Sequence, residues 1–185
     1  LDLGNRPAVF GSFIYVPNLN GSAFYRFDLA GAGAANVTQG PVSFRWAVAA
    51  AGRLWFNQGK GRLRSFPVDA ANAGMSTGDY SATIAIGNGF LETDDAIVLE
   101  DSIYAGFPDG VYQGDFTGTF ANVTPDVGDV VDRWNCRDLT IHNGGIVFAQ
   151  GPHLWWYRPS SGGNSEMREI GPMGAFNNRG PLRGR

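Results

Sequence analysis

Short apolar bursts alternate with polar and turn-forming residues along the whole chain. Four of them, Phe13–Val16, Arg53–Phe56, Ser102–Ala105 and Gly145–Phe148, are each followed by a second, Ala23–Phe27, Arg62–Phe66, Gly110–Tyr112 and His153–Tyr157. Alternation over four to six residues is the period of a strand, in which residues i and i+2 share a face. Between the members of each pair lie Asn18-Leu19-Asn20-Gly21, Gln58-Gly59-Lys60-Gly61, Pro108-Asp109-Gly110 and Gln150-Gly151-Pro152. Asn, Asp and Gly tolerate the positive φ angles of tight turns, so each pair predicts a β-hairpin. Helices find little support. Ala47–Ala51 and Asp69–Met75 are rich in alanine, but glycine interrupts both. Arg45–Ala51 before Gly52 is predicted as a strand running into a turn.

The pattern repeats. Tyr25-Arg26-Phe27-Asp28-Leu29-Ala30-Gly31 recurs as Tyr112-Gln113-Gly114-Asp115-Phe116-Thr117-Gly118, 87 residues on. Ala35-Asn36-Val37-Thr38 recurs as Ala121-Asn122-Val123-Thr124 at 86, Arg45-Trp46 as Arg133-Trp134 at 88, and Ile14-Tyr15 as Ile103-Tyr104 at 89. Four landmarks in one order at nearly one offset mark a true internal repeat. Each long repeat then splits in two, with pitches of 40, 49 and 43 residues from Tyr15 to Trp55, Tyr104 and Val147. Such spacings match the ~40–45-residue unit of a four-stranded propeller blade.

The segment Ala96–Gly106 followed by Phe107-Pro108-Asp109-Gly110-Val111-Tyr112 resembles the blade repeat of WD40-like and BNR-like β-propellers. That resemblance implies an all-β chain of about four antiparallel blades, roughly 5–43, 44–93, 94–131 and 132–174, then a partial segment 175–185. Neither a Gly-His…Trp-Asp signature nor a complete Ser-x-Asp-x-Gly-x-x-Trp box is present. A β-sandwich is the rival fold, but a sandwich does not need a repeat, whereas a propeller is built from one. Leu1-Asp2-Leu3-Gly4 resembles the close of a third strand, and Gly174–Arg185 the approach to another blade. Both point to a piece of a larger ring, possible at four blades only if the ends meet. The matched Arg-Trp pairs are expected to start inner strands with their indoles buried between blades.

Composition narrows the function. In 185 residues there are 27 glycines and 10 prolines, well above the usual share, and these suit many short strands joined by tight turns. A net charge of −3 excludes electrostatic nucleic-acid binding by the whole chain. No apolar run approaches the ~18 residues of a membrane-spanning helix. Lys60 is the only lysine among 14 basic residues, a bias read as that of a GC-rich genome. One cysteine, Cys136, rules out an internal disulfide.

Candidate chemistry is sparse. His142 and His153 are 11 apart, a spacing that matches no compact zinc pattern, so no metal site is expected there. Cys136 lies near Arg133 and Arg137, but without a base in sequence it reads as a small buried filler. Acidic positions gather at Asp94-Asp95, Glu100-Asp101, and Asp126, Asp129, Asp132; turn preference explains them, with Ca²⁺ the one cation they would suit. Phosphate-loop, Gly-x-Ser-x-Gly and His-Glu-x-x-His patterns are absent from the sequence, and catalytic residues and cofactors are expected to be none.

The consecutive aromatics Trp155, Trp156 and Tyr157 are the strongest candidate ligand-binding residues. In a strand, Trp155 and Tyr157 point to one face and Trp156 to the other. All three are core if blades cover both faces; an uncovered face would present an aromatic to a glycan or a protein. The leading expectation is a non-enzymatic structural or binding module, a propeller presenting loops to a protein or glycan. Other blades or neighbouring copies of the chain are further partners, and an extracellular or virion-tail setting is favoured. The alternative is a propeller hydrolase or lactonase using carboxylates near the axis with Ca²⁺. Carboxylates converging on the channel would favour the enzyme, and an apolar lining the scaffold.

Overall fold

The computed structural model describes residues 6–16, 24–31, 34–37, 45–67, 81–87, 89, 91–93, 95–125, 127, 132, 135–160 and 164–172. They form sixteen strands in four antiparallel sheets, each a simple up-and-down run of four. Blade one comprises β1 (Ala8–Phe10), β2 (Phe13–Val16), β3 (Phe24–Asp28) and β4 (Ala34–Val37). Blade two comprises β5 (Ala47–Ala50), β6 (Arg53–Asn57), β7 (Arg62–Pro67) and β8 (Ile84–Ala85). Blade three comprises β9 (Asp95–Leu99), β10 (Ser102–Phe107), β11 (Gly110–Gly114) and β12 (Phe120–Asn122). Blade four comprises β13 (Thr140–His142), β14 (Gly145–Gln150), β15 (His153–Arg158) and β16 (Glu166–Pro172). All eight predicted bursts are strands, and Ala47–Ala50 is a strand as its glycine stop implied.

The turn after each first strand sets the register. Phe10 pairs with Phe13, Ala50 with Arg53, Leu99 with Ser102 and His142 with Gly145, each across two residues. Ala51-Gly52 and Asn143-Gly144 hold positive φ at both turn positions, as the right-handed twist of a two-residue hairpin demands. Four blades therefore share one numbering, and the repeat read from sequence is a repeat in space. Tyr25 and Tyr112 both lie on third strands, and each pairs with the asparagine of its own Ala-Asn-Val-Thr segment. Asp28 accepts from the amide of Ala30, and Asp115 from that of Thr117, the same Asx turn in both blades. Four donors from Thr117, Gly118 and Thr119 hold the exposed Asp115 carboxyl below the usual carboxylate range.

Alternation along each strand then builds the core between blades. Blades one and two close on Ala8, Phe10, Tyr15, Leu54, Phe56 and Phe66. Blades two and three close on Trp46, Val48, Trp55, Leu63, Ile103 and Phe107, among others. Blades three and four close on Ile97, Tyr104, Val111, Ile146, Phe148 and Tyr157, with Cys136 and Leu139. Trp46 behaves as its sequence position predicted: it precedes β5, is fully buried, and donates its indole N–H to Thr93. Its repeat partner Trp134 lies outside the described residues, as do Leu1–Gly4, Asp69–Met75 and Gly174–Arg185.

Candidate functional site

The first strands of all four blades surround one channel, a cavity of about 460 Å³. Its wall is mostly small and aliphatic: Ala8, Val9, Ala47, Ala49, Val98 and Ile141. Such residues are what the crowded inner strands can hold, since each wall position lies between two neighbouring blades. At one end the channel is tied by an ion pair. Arg6 meets Asp95 in bidentate fashion, Nε to Oδ1 at 2.7 Å and Nη2 to Oδ2 at 2.9 Å, and Nη2 also donates to the Leu139 carbonyl at 2.8 Å. Asp95 further accepts from the amides of Ala96 and Leu139, and the Arg6 carbonyl accepts from Ala47. One carboxylate and one guanidinium thereby fasten the starts of all four blades. Burial raises the Asp95 pKa above its ordinary value, with Arg6 and the two amides pulling it back.

The sequence candidates are scattered by the fold. Asp95 is consumed by Arg6, while Glu100 and Asp101 form the exposed β9–β10 turn. Asp132 is exposed, and Asp94, Asp126 and Asp129 lie outside the described residues. Among the described residues no three His, Cys, Asp or Glu side chains gather as a metal site would require. His142 and His153 sit on β13 and β15, separated by β14, and His153 Nδ1 is 2.6 Å from Glu169. Cys136 is buried in the core between blades three and four, where burial pushes its thiol pKa up.

The aromatic trio divides as strand alternation requires. Tyr157 is core, its ring centroid 6.3 Å from that of Tyr104 in blade three, and Trp155 packs at the same core. Trp156 points the other way, to the face of blade four that no described blade covers. Its N–H donates to the His142 carbonyl at 2.9 Å, and the Arg168 guanidinium lies 4.7 Å from its ring centre. Gly145 makes room for that indole, since a Cβ there would stand 2.5 Å from ring atoms. Trp156 therefore lies on the opposite face of β15 from Trp155 and Tyr157, and is itself only 6% exposed.

Blade one carries the opposite face, which no described blade covers either. Strand pairing places Val9, Ile14 and Phe27 side by side, with Val9 58% and Phe27 39% exposed. Leu29, just beyond β3, is 52% exposed. Phe10, Phe13 and Tyr15 instead turn toward blade two. Sequence reading did not single out Arg6. For Phe27 a signal existed: three of the second bursts end on an aromatic at one register position, namely Phe27, Phe66 and Tyr157. Arg6 had none, because its partner Asp95 is 89 residues away.

No known family's sequence profile matches this chain, and no curated protein is similar in sequence. Solved structures are similar in fold. PorZ, a surface component of the type-IX secretion system of Porphyromonas gingivalis, superposes with a TM-score of 0.62 at 13% identity over 91% of this chain and 21% of its own. The WD40 β-propeller domain of Doa1 gives 0.55 at 8% identity, over 84% of this chain and 51% of its own. The computationally designed Ika4 protein gives 0.53 at 9% identity, over 90% of both chains. This chain thus spans a fifth to a half of the two natural chains, and at these identities the likeness is one of fold. Four antiparallel four-stranded blades around a common channel, with this likeness, make the chain an all-β propeller.

Proposed function

We propose that this chain is a non-enzymatic propeller scaffold that binds a protein partner through surfaces its blades leave uncovered. The channel carries the reading. Its wall is aliphatic, and the one buried carboxylate at its end spends both oxygens on Arg6 and two backbone amides. A general acid or base needs a titratable group within reach of substrate, and Asp95 is engaged in holding blades together. Large apolar side chains at Phe27 and Leu29 are outward instead, as surfaces that meet another macromolecule are. A protein suits this face, where the Phe27 ring stands beside aliphatic Leu29 in one apolar patch. An extracellular or virion setting belongs to the same reading.

The test is to offer the purified chain esters, lactones and glycosides, with and without millimolar Ca²⁺, and to record its melting temperature in both conditions. No turnover above a heat-denatured control and no Ca²⁺-dependent shift are expected. Turnover that Asp95→Asn abolishes would overturn the scaffold reading.

A further inference from the structure

We propose that the outward faces of blades one and four are the two halves of a fourth inter-blade interface, formed between two copies of this chain. Phe27 of one copy seats against Val147 and Trp156 of the other. This rests on the scaffold reading and names its partner.

The shared register makes the comparison between blades position by position. Tyr15, Trp55, Tyr104 and Val147 are equivalent on the second strands, and the first three face the blade that follows. Their partners across to the third strand are Arg26, Ser65, Gln113 and Trp156. One residue further on stand Phe27, Phe66, Gly114 and Tyr157, the positions that face the preceding blade. Every interface inside the chain uses the same device, an aromatic from the later blade on an aromatic of the earlier one. Phe66 packs on Tyr15 with centroids 5.7 Å apart, and Tyr157 on Tyr104 at 6.3 Å. Blade three has Gly114 there, and Phe116 takes the role, 6.0 Å from Trp55.

One half of that device is left over at each outward face. Phe27 holds the position of Phe66 and Tyr157, and Leu29 that of Phe116, yet both are exposed. On blade four the second-strand position is the smaller Val147, and Trp156 beside it supplies the indole. The indole is fixed as Trp55 is: each donates its N–H to the carbonyl of the last residue of the inner strand, Ala50 for Trp55 and His142 for Trp156. Trp156 is 6% exposed, and what lies over it is Arg168 with Arg158, exposed side chains that a partner can displace.

Arg6 brings the starts of blades one and four together at the channel end, but outward from there no described core joins them. The two faces are complementary to each other and neither is complementary to itself. A second copy satisfies both through a head-to-tail contact, closing as a two-copy ring or extending as a filament according to the rotation.

The experiment uses Phe27→Cys and Arg168→Cys, both at exposed positions, with buried Cys136 silent. Mild oxidation of the two variants mixed is expected to give a covalent pair of doubled mass, and either variant alone none. The unaltered chain should sediment as a concentration-dependent dimer or longer assembly, and Phe27→Asp as a folded monomer whose melting temperature no longer depends on concentration. A disulfide formed within one chain of the double variant would overturn the proposal in favour of self-closure. A chain monomeric at every concentration would overturn it too, leaving the faces to a different protein and the scaffold reading intact. Enzymatic turnover, by contrast, would remove the scaffold reading whatever the mass.

Discussion

Trp55, on the second strand of blade two, and Trp156, on the third strand of blade four, present their indoles to the same face of their blades and have different surroundings. Each indole sits on the face toward a following blade and bonds the last carbonyl of its inner strand. Trp55 is then covered by Phe116 of blade three and sealed in a core. Trp156, itself 6% exposed, is covered on its outer side by the Arg168 and Arg158 guanidinium groups rather than by an aromatic of another blade. The difference teaches that a blade is built to be covered on both sides whether or not the described chain covers it. Outward faces keep the chemistry of the inward ones.

The largest effect should come from the sealed indole. Trp55→Ala removes a fully packed aromatic and is expected to cost about 3–5 kcal/mol. Trp156→Ala removes an indole that is 6% exposed but covered on its outer side by exposed arginine side chains rather than by a core, and should cost less, about 2 kcal/mol in dilute solution. Urea titrations of both variants measure this, and equal losses would mean that the outward face is already as well covered as the inward one.

Next comes the tie that holds both regions to one channel. Arg6→Ala strands the buried Asp95 carboxylate and is expected to cost about 3 kcal/mol at neutral pH. The sign with pH follows from the raised Asp95 pKa. A raised acid contributes its full stability below its unfolded pKa and loses it as pH climbs through the folded value. Removing Arg6 takes away a lowering influence, so the folded value climbs further. The variant's deficit should therefore shrink on acidification toward pH 4 and be complete in the neutral range. Denaturant midpoints from pH 4 to 8 test it; a deficit that grows toward acid contradicts this role for Asp95.

Gly114 sharpens the comparison at the position where blades one, two and four carry Phe27, Phe66 and Tyr157. A Cβ at Gly114 would stand 2.1 Å from the Phe120 ring. Gly114→Ala should cost about 1–3 kcal/mol by overpacking, read as a lowered melting temperature. A neutral outcome would mean that Phe120 swings away freely and the glycine is not required. Smallest of all, Arg168→Ala removes one of two guanidinium groups over Trp156 and an exposed pair with Glu166, together worth about 0.5–1 kcal/mol. It should also raise self-association by baring the indole. A weaker assembly in that variant would show Arg168 to be part of the contact rather than its lid.

Much of this was legible in the sequence, because it is local. Turn residues at fixed offsets and alternating apolar bursts specify hairpins, and the offset of Tyr25 from Tyr112 specifies that blades one and three are copies. Even the split of Trp155 and Tyr157 from Trp156 follows from strand period alone. Less legible was the candidate site. Strand period separates Trp156 from Trp155 and Tyr157 but does not say which of the two faces another blade covers, and the outward face of blade one centres on Phe27.

By itself, then, the sequence determined the strands, their turns, the fourfold repeat and which side chains share a face. Those depend on neighbours a few residues apart. Only tertiary structure decided which faces meet. Arg6 and Asp95 join across 89 residues with no pattern in the chain to announce them. Whether an aromatic is core or contact surface depends on the presence of another blade. Phe27 and Phe66 hold the same position in their blades, but one is 39% exposed and the other 1%, because burial belongs to the neighbour as much as to the residue.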